Sequence, residues 1–343
     1  MSRTGSVDVI RLIAIFAVIV IHTEPFNHSA LPGSVFDAGL VINQLARFAV
    51  PCFFILSGFF WARKFGETES PLPPSRKMAQ RIATLLICWS LIYLLPTNIE
   101  QVAKAGFAGI PALMHDRIAE LLARPVTLLL QSTKAHLWFL VSLLWCVAIS
   151  AVMLELKLRS GLIALALILF TVGLMGGAYA DTPIGFHIHF NFREGPFFGL
   201  VFFVTGYVLQ RIGPRTSWLP YGLAITAAGA ILQLLEIQLL HHYWASNMWH
   251  DFVAATWLYG LGVAMIGLSG TRLLDAPALS RIGPLVLGIY AIHAIFVDVL
   301  KIADERFASS FWWNCAYPVA VFLLSTLAAF VLSRYRVSRR LVT

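Results

Sequence analysis

The chain has 343 residues, of which 59% are hydrophobic and only 12% charged, with a mean hydropathy of +0.78 and a formal net charge of +8. A soluble globular protein carries about 25% charged residues, so this composition excludes a water-soluble enzyme. It also makes the positive balance a membrane-topology signal rather than a nucleic-acid footprint.

Apolar stretches long enough for a bilayer recur from end to end. They predict an all-α, polytopic transmembrane helix bundle of about ten spans, forming a single integral-membrane domain over residues 1–343. The spans fall at about 8–23, 39–62, 81–97, 137–155, 160–179, 196–211, 218–239, 251–269, 285–302 and 312–333.

The first span, DVIRLIAIFAVIVIH, carries Asp8 and Arg11 at one end and His22 at the other. No small-residue cleavage site follows His22, so the segment is expected to stay as a helix rather than be removed as a signal peptide. Eleven residues at 100° each turn through roughly 1100°, about 20° past three full turns. Arg11 and His22 therefore share a face, about 16 Å apart along the axis. Asp8 stands three residues before Arg11 on that face, as an ion-pair partner would. An intramembrane charge costs about 2.5–3.5 kcal/mol on insertion scales, so such groups usually mark a site. Snorkelling to an interface is the bland alternative.

The second span holds Arg47, then Pro51, which can bend the helix and free a carbonyl, then Ser57-Gly58, a close-packing pair. Before the third span the loop ETESPLPPSRKMAQR is Pro-rich and basic; its Arg76, Lys77 and Arg81 suit phosphate groups or simple positive-inside anchoring. In the long connection 98–136, Ile110, Leu113, Met114, Ile118, Leu121 and Leu122 follow helical spacing, with Asp116, Arg117 and Glu120 opposite. That pattern predicts an interfacial helix over about 110–124 on the outer surface. His136 and Trp138 open the fourth span, and Tyr290 and His293 lie in the ninth.

Two further clusters stand in outer loops. His187 and His189 form a His-x-His pair, but no neighbouring carboxylate or thiol completes a zinc set, so no metal is expected. In HHYWASNMWHD, residues 241–251, Trp244 and Trp249 suit either stacking on sugar rings or an interfacial aromatic belt. Cys52, Cys88, Cys146 and Cys315 show no paired spacing and read as small buried hydrophobes.

The loop charges orient the chain. With the N-terminus inside, 16 of the 25 Lys and Arg residues fall in cytoplasmic segments and seven in outer ones, leaving Arg11 and Arg47 within spans. Both termini are thus expected in the cytoplasm.

DVIRLIAIFAVIVIH resembles the opening motif of membrane acyltransferase family 3, an Arg followed after ten residues by a His. RFAVPCFFILSGFF is similar to that family's second-helix signature, HLWFLVSLLW at 136–145 to its His-Leu-Trp-Phe-Leu segment, REGPFFGLVFFVTGYVL at 193–209 to its later Phe/Gly-rich helix, and LGIYAIH at 287–293 to its Ile-Tyr-x-x-His. The matches run in order over almost the whole chain. The resemblance implies a ten-span enzyme of the bacterial inner membrane that moves an acetyl or other short acyl group from cytoplasmic acyl-CoA to surface glycans, lipids or related acceptors. It implies Arg11 and His22 as the essential pair, with Arg47, His136, Trp138, Tyr290 and His293 at recurrent positions. Family members often carry Arg-x-x-Arg at the start of the third helix; here RKMAQRIATLL puts Arg76 or Lys77 with Arg81 at a different spacing. Some relatives add an extracytoplasmic esterase-like domain. These 343 residues leave no room for one, so transfer is expected to finish at the membrane site.

On this reading the donor is acetyl-CoA and the acceptor a hydroxyl of a cell-envelope or exported glycan, free or lipid-linked. His22 is the general base, since imidazole titrates near neutrality, and Arg11 and Arg47 position donor and acceptor. An acyl-His22 intermediate is the alternative route. A proton-coupled secondary transporter is the rival function, because a polar stripe across a bundle would serve one too.

Overall fold

The computed structural model describes residues 5–27, 29, 37–64 and 70–342. It is a helical bundle. Among the described residues, six helical segments are long and apolar enough to cross a membrane: Gly5–Thr23 (α1), Ala38–Ala62, Ala135–Glu155, Trp218–Trp244, Pro277–Phe307 and Phe311–Arg334. Three shorter apolar helices join them, α8 (Arg159–Met175), α9 (Pro196–Ile212) and α11 (Ala255–Leu268).

The second long segment is broken, as Pro51 leads one to expect. It consists of α2 (Ala38–Ala46) and α3 (Ala49–Ala62), parted at Arg47 and Phe48. Pro51 has no N–H to give the carbonyl of Arg47, so the ladder is interrupted there. The phenol of Tyr259 donates to the neighbouring Leu45 carbonyl at 2.7 Å, which satisfies part of the opened backbone.

The third expected span is shifted. Helix α4 runs over Leu72–Ile92, so the basic stretch expected as loop lies inside its first turns. Pro73 and Pro74 are tolerated because the first N–H groups of a helix have no intrahelical partner to lose. The helix stops before Pro96, which disfavours helical backbone at the residue ahead of it. The connection beyond holds α5 (Ile99–Ala123) and α6 (Pro125–Gln131). A non-helical Gly106 at φ 66° divides α5, and residues 107–123 supply the helix expected at 110–124. None of α5 is buried, and Phe107 is 90% exposed.

The remaining helices are α7 (Trp138–Glu155), α10 (Trp218–Trp244), α12 (Pro277–Ser280), α13 (Val286–Phe307), α14 (Phe311–Arg334) and α15 (Arg336–Arg339). The apolar window of α1 is 67% buried, against 22% for α10 and 28% for α14, so α1 is central and the other two are peripheral. The outer faces of α10 and α14 expose Leu223, Ile231, Leu239, Leu323, Leu327 and Phe330. In water such faces would aggregate; against lipid tails they are at home.

Small residues set the closest crossings. A methyl group added at Gly58 of α3 would overlap the Phe203 carbonyl of α9, and one at Gly206 of α9 would overlap the Ile55 carbonyl of α3. The Ser57-Gly58 pair thus does what its sequence suggests, allowing backbones to approach where no hydrophobic drive between helices exists in lipid. Phe54, Trp61, Phe202 and Phe203 fill the space around this crossing, all but fully buried.

Candidate active site

His22 is the next-to-last residue of α1. Thr23 closes the helix by bonding back to the Ile19 carbonyl at 2.9 Å, and Pro25 follows. The imidazole of His22 is exposed, yet its ring lies 5.1 Å, centroid to centroid, from that of His293 on α13, which is fully buried. The ring of His293 in turn lies 5.1 Å from that of His136, which is 4% exposed. Three histidines from three helices thus form a file with one accessible end. Tyr290 and Tyr93 pack edge-on against His136, at 5.5 and 5.0 Å.

The backbone settles the tautomer of His293. Its Nδ1 lies against the Tyr290 carbonyl, one helical turn back. A carbonyl only accepts, so in the neutral ring Nδ1 carries the proton and Nε2 keeps its lone pair. Among the described residues that Nε2 has no hydrogen-bond partner. The scaffold around it is tied by hydroxyls: Tyr290 donates to the His136 carbonyl, and Tyr93 donates to the Ala291 carbonyl at 2.6 Å.

A second group gathers beside His22. Arg47, at the α2–α3 break, pairs with Asp251 Oδ1 at 2.8 Å and donates to Asn43 at 2.9 Å. Arg193, ahead of α9, reaches the same Oδ1 at 3.0 Å and lays its guanidinium over Trp138, 5.0 Å from the ring centre. Asp251 itself comes from the connection between α10 and α11. Burial pushes its carboxyl up, but the guanidiniums of Arg193 and Arg47 outweigh that and hold it below the ordinary aspartate value. Arg193, Arg47 and Asp251 all act electrostatically on His22. Glu24 and Glu194 also lie within electrostatic reach of the cluster, so what the two guanidiniums offer is directed N–H donors, suited to an oxygen that gains negative charge.

Arg11 is not part of this group. Its guanidinium packs over Phe60 at 4.9 Å, and Arg63 approaches the same ring at 5.8 Å. That ring belongs to the end of α3 remote from Arg47. Asp8 is buried, 1% exposed, in the first turn of α1. Arg76, Lys77 and Arg81 are exposed on α4. Lys64 joins them: partial desolvation, then the fields of Arg81 and Lys77, hold its ammonium below the ordinary lysine value. Such a concentration of cations favours polyanions. Among the described residues no group of three His, Cys, Asp or Glu side chains is arranged to hold a metal ion.

A family model described as an acyltransferase domain matches residues 4–334. The chain belongs to acyltransferase family 3. An amino-acid racemase of Enterococcus faecalis is 25% identical over 214 residues, which cover 59% of this chain and 27% of the racemase. The chain thus spans about a quarter of that relative's length. No solved structure matches it. As an integral-membrane member of family 3, the chain keeps four of its motif side chains within one neighbourhood: His22, His136, Tyr290 and His293. Arg47 and Trp138 join them through Asp251 and Arg193. Neither of those two stands out as a site residue in the sequence, although Arg193 opens the REGPFF motif and Asp251 closes the aromatic stretch 241–251. Their signal is an unexplained charge of each sign in two interhelical connections, and only packing unites them.

Proposed function

We propose that the protein is a membrane O-acyltransferase that moves an acetyl or other short acyl group from cytoplasmic acyl-CoA to a hydroxyl of a cell-envelope or exported glycan. The observation that carries this reading is the accessible imidazole of His22, backed by buried His293 and flanked by the Arg47–Asp251–Arg193 cluster. The six long helices, the three shorter apolar ones and α4 make ten crossings of the bacterial inner membrane, with both termini in the cytoplasm. The basic end of α4 then faces the CoA pool, and His22 lies towards the outer side.

In this scheme the CoA phosphates rest on Lys64, Arg76, Lys77 and Arg81, as point charges and as donors. The pantetheine arm runs along the α1 face past Arg11, over the roughly 16 Å that separate it from His22. His22 takes the proton of the acceptor hydroxyl as that oxygen attacks the thioester carbon. The carbonyl oxygen gains negative charge, which Arg47 and Arg193 stabilise. The tetrahedral species then collapses, the carbon–sulfur bond breaks, and the thiolate recovers the proton from His22. The products are an ester and free CoA thiol. A positioned general base supplies about 10²–10⁴-fold and an oxyanion donor about 10²–10³-fold. Asp8 holds the polar face of α1 at its start.

The test uses membranes supplied with radiolabelled acetyl-CoA, following label into glycan for the wild type, His22→Ala and Arg11→Ala. Label is expected in glycan with wild type and lost with both variants at normal abundance. Undiminished transfer by the variants sinks the assigned roles. Accumulation of an unmodified solute with no acyl transfer favours the proton-coupled transporter. A reporter fused to the C-terminus is expected to be cytoplasmic, and an external one breaks the ten-crossing scheme.

A further inference from the structure

Two cavities differ sharply in chemistry. One, of about 590 Å³, lies between the end of α4, α5 and α13 and is walled by Ile92, Leu95, Val102, Phe107, Ile295 and Val299. Lipid chains fill such a space without further explanation. The other, of about 440 Å³, is bounded by the α8–α9 and α10–α11 connections; Asp181, Asn191, Asn247, His250 and Asp251 line its polar side, and Trp249 with Phe190, Phe192 and Phe252 its aromatic side. A polar cavity in so apolar a chain has no use for a lipid tail, because each unpaired polar group would be stranded in hydrocarbon.

The polar groups are held in a definite way. Asn191 Oδ1 accepts the N–H of Arg193 at 3.0 Å, and Asn247 Oδ1 accepts the N–H of Trp249 at 2.9 Å. Both amides therefore have their oxygens anchored and their NH2 groups left as donors. Asp251 binds both guanidiniums through Oδ1, which leaves Oδ2 for another donor. Trp249 is half-buried in the lining, whereas Trp244, the last residue of α10, is 41% exposed and lies outside the cavity. An interfacial belt accounts for Trp244. It does not account for an indole set among two amides and two carboxylates. Amide donors, carboxylate acceptors and aromatic faces together match a ring that carries hydroxyls on its edge and C–H groups on its face.

We infer that this pocket is the acceptor subsite and that it takes one sugar ring, with Trp249 against the ring face and Asn191, Asn247 and Asp251 on the ring hydroxyls. The inference rests on the acyltransferase reading only for its catalytic meaning. Asp251 belongs both to the pocket and to the arginine cluster beside His22, so a hydroxyl bound at the Asp251 end is directed towards the base.

The test uses the full chain in nanodiscs, free of sugar-headed detergents that would occupy the pocket. Methyl glycosides of glucose, galactose, mannose and rhamnose serve as probes, read by saturation-transfer NMR. At least one is expected to bind. Its signal should fall about tenfold in Trp249→Ala and in Asn247→Ala, the size of one lost polar or stacking contact, and persist in Trp244→Ala. The second variant decides if the first does not give a monodisperse particle. In acyl-transfer assays the same two variants are expected to raise KM for the acceptor with KM for acyl-CoA unchanged. No bound glycoside, or a signal that survives both variants, overturns the pocket even if acyl transfer is seen. Glycoside binding that depends on Trp249, without any acyl transfer, leaves the pocket standing and overturns the transferase reading instead.

Discussion

His22 and His293, from opposite ends of the chain, stand ring against ring at 5.1 Å, the first exposed and the second fully buried. Because the Tyr290 carbonyl fixes the proton of His293 on Nδ1, its free Nε2 lone pair is a fixed acceptor in the wall behind the proposed base. His293→Phe keeps an aromatic ring there but removes that acceptor. We expect kcat for acyl transfer to fall by about 10–100-fold, part of the general-base effect, with KM for acyl-CoA unchanged. An unchanged kcat assigns His293 to packing alone.

The second prediction concerns the carboxylate that joins two guanidiniums. In Asp251→Asn the amide cannot neutralise Arg47 and Arg193, so two like charges face each other half-buried. Charge-assisted hydrogen bonds contribute about 1.5–3 kcal/mol each, and solvent at this partly exposed site discounts that. A net destabilisation of about 1–3 kcal/mol is expected by thermal melting, together with a loss of transfer. A variant that melts with the wild type rules out a structural part for the pair.

Crossing geometry gives a third. Gly206 meets the Ile55 carbonyl so closely that no side chain fits without parting α3 from α9. Gly206→Val is expected to abolish the monodisperse protein, as overpacking against rigid backbone has no flexible partner to yield. Normal yield and melting temperature of this variant would contradict the described crossing.

The fourth is a pH effect at His250. Its imidazole lies in the α10–α11 connection, where burial lowers its pKa to about 4 against the opposing pull of Asp251. The unfolded chain takes up this proton near pH 6.5 and the folded one only near 4, so between those values the unfolded state binds more protons. Stability from this group is full above pH 6.5 and is lost as pH falls towards 4. Melting temperatures measured from pH 7.5 to 4 should drop through that window, and His250→Gln should flatten the slope there. A variant with the same slope would place the acid sensitivity elsewhere.

Much was legible in the sequence because lipid leaves the backbone few options. A membrane-spanning segment must satisfy its own N–H and C=O groups, so a long apolar run is a helix wherever it sits. The common face of Arg11 and His22 follows from 100° per residue alone. The break at Pro51 and the close approach at Gly58 follow from the missing N–H and the missing side chain. Where local reading failed, a competing local rule was at work: at Leu72–Ile92 the two prolines read as loop, although a first helical turn accepts them. What only the tertiary structure decided is which distant groups meet. That His293 and His136 stand behind His22, that Arg193 rather than Arg11 joins Arg47, and that Asp251 links them to a polar pocket all depend on how helices and connections far apart in sequence pack together. Periodicity fixes the direction of a side chain about its own helix axis. It carries no information about the neighbour that axis is laid against.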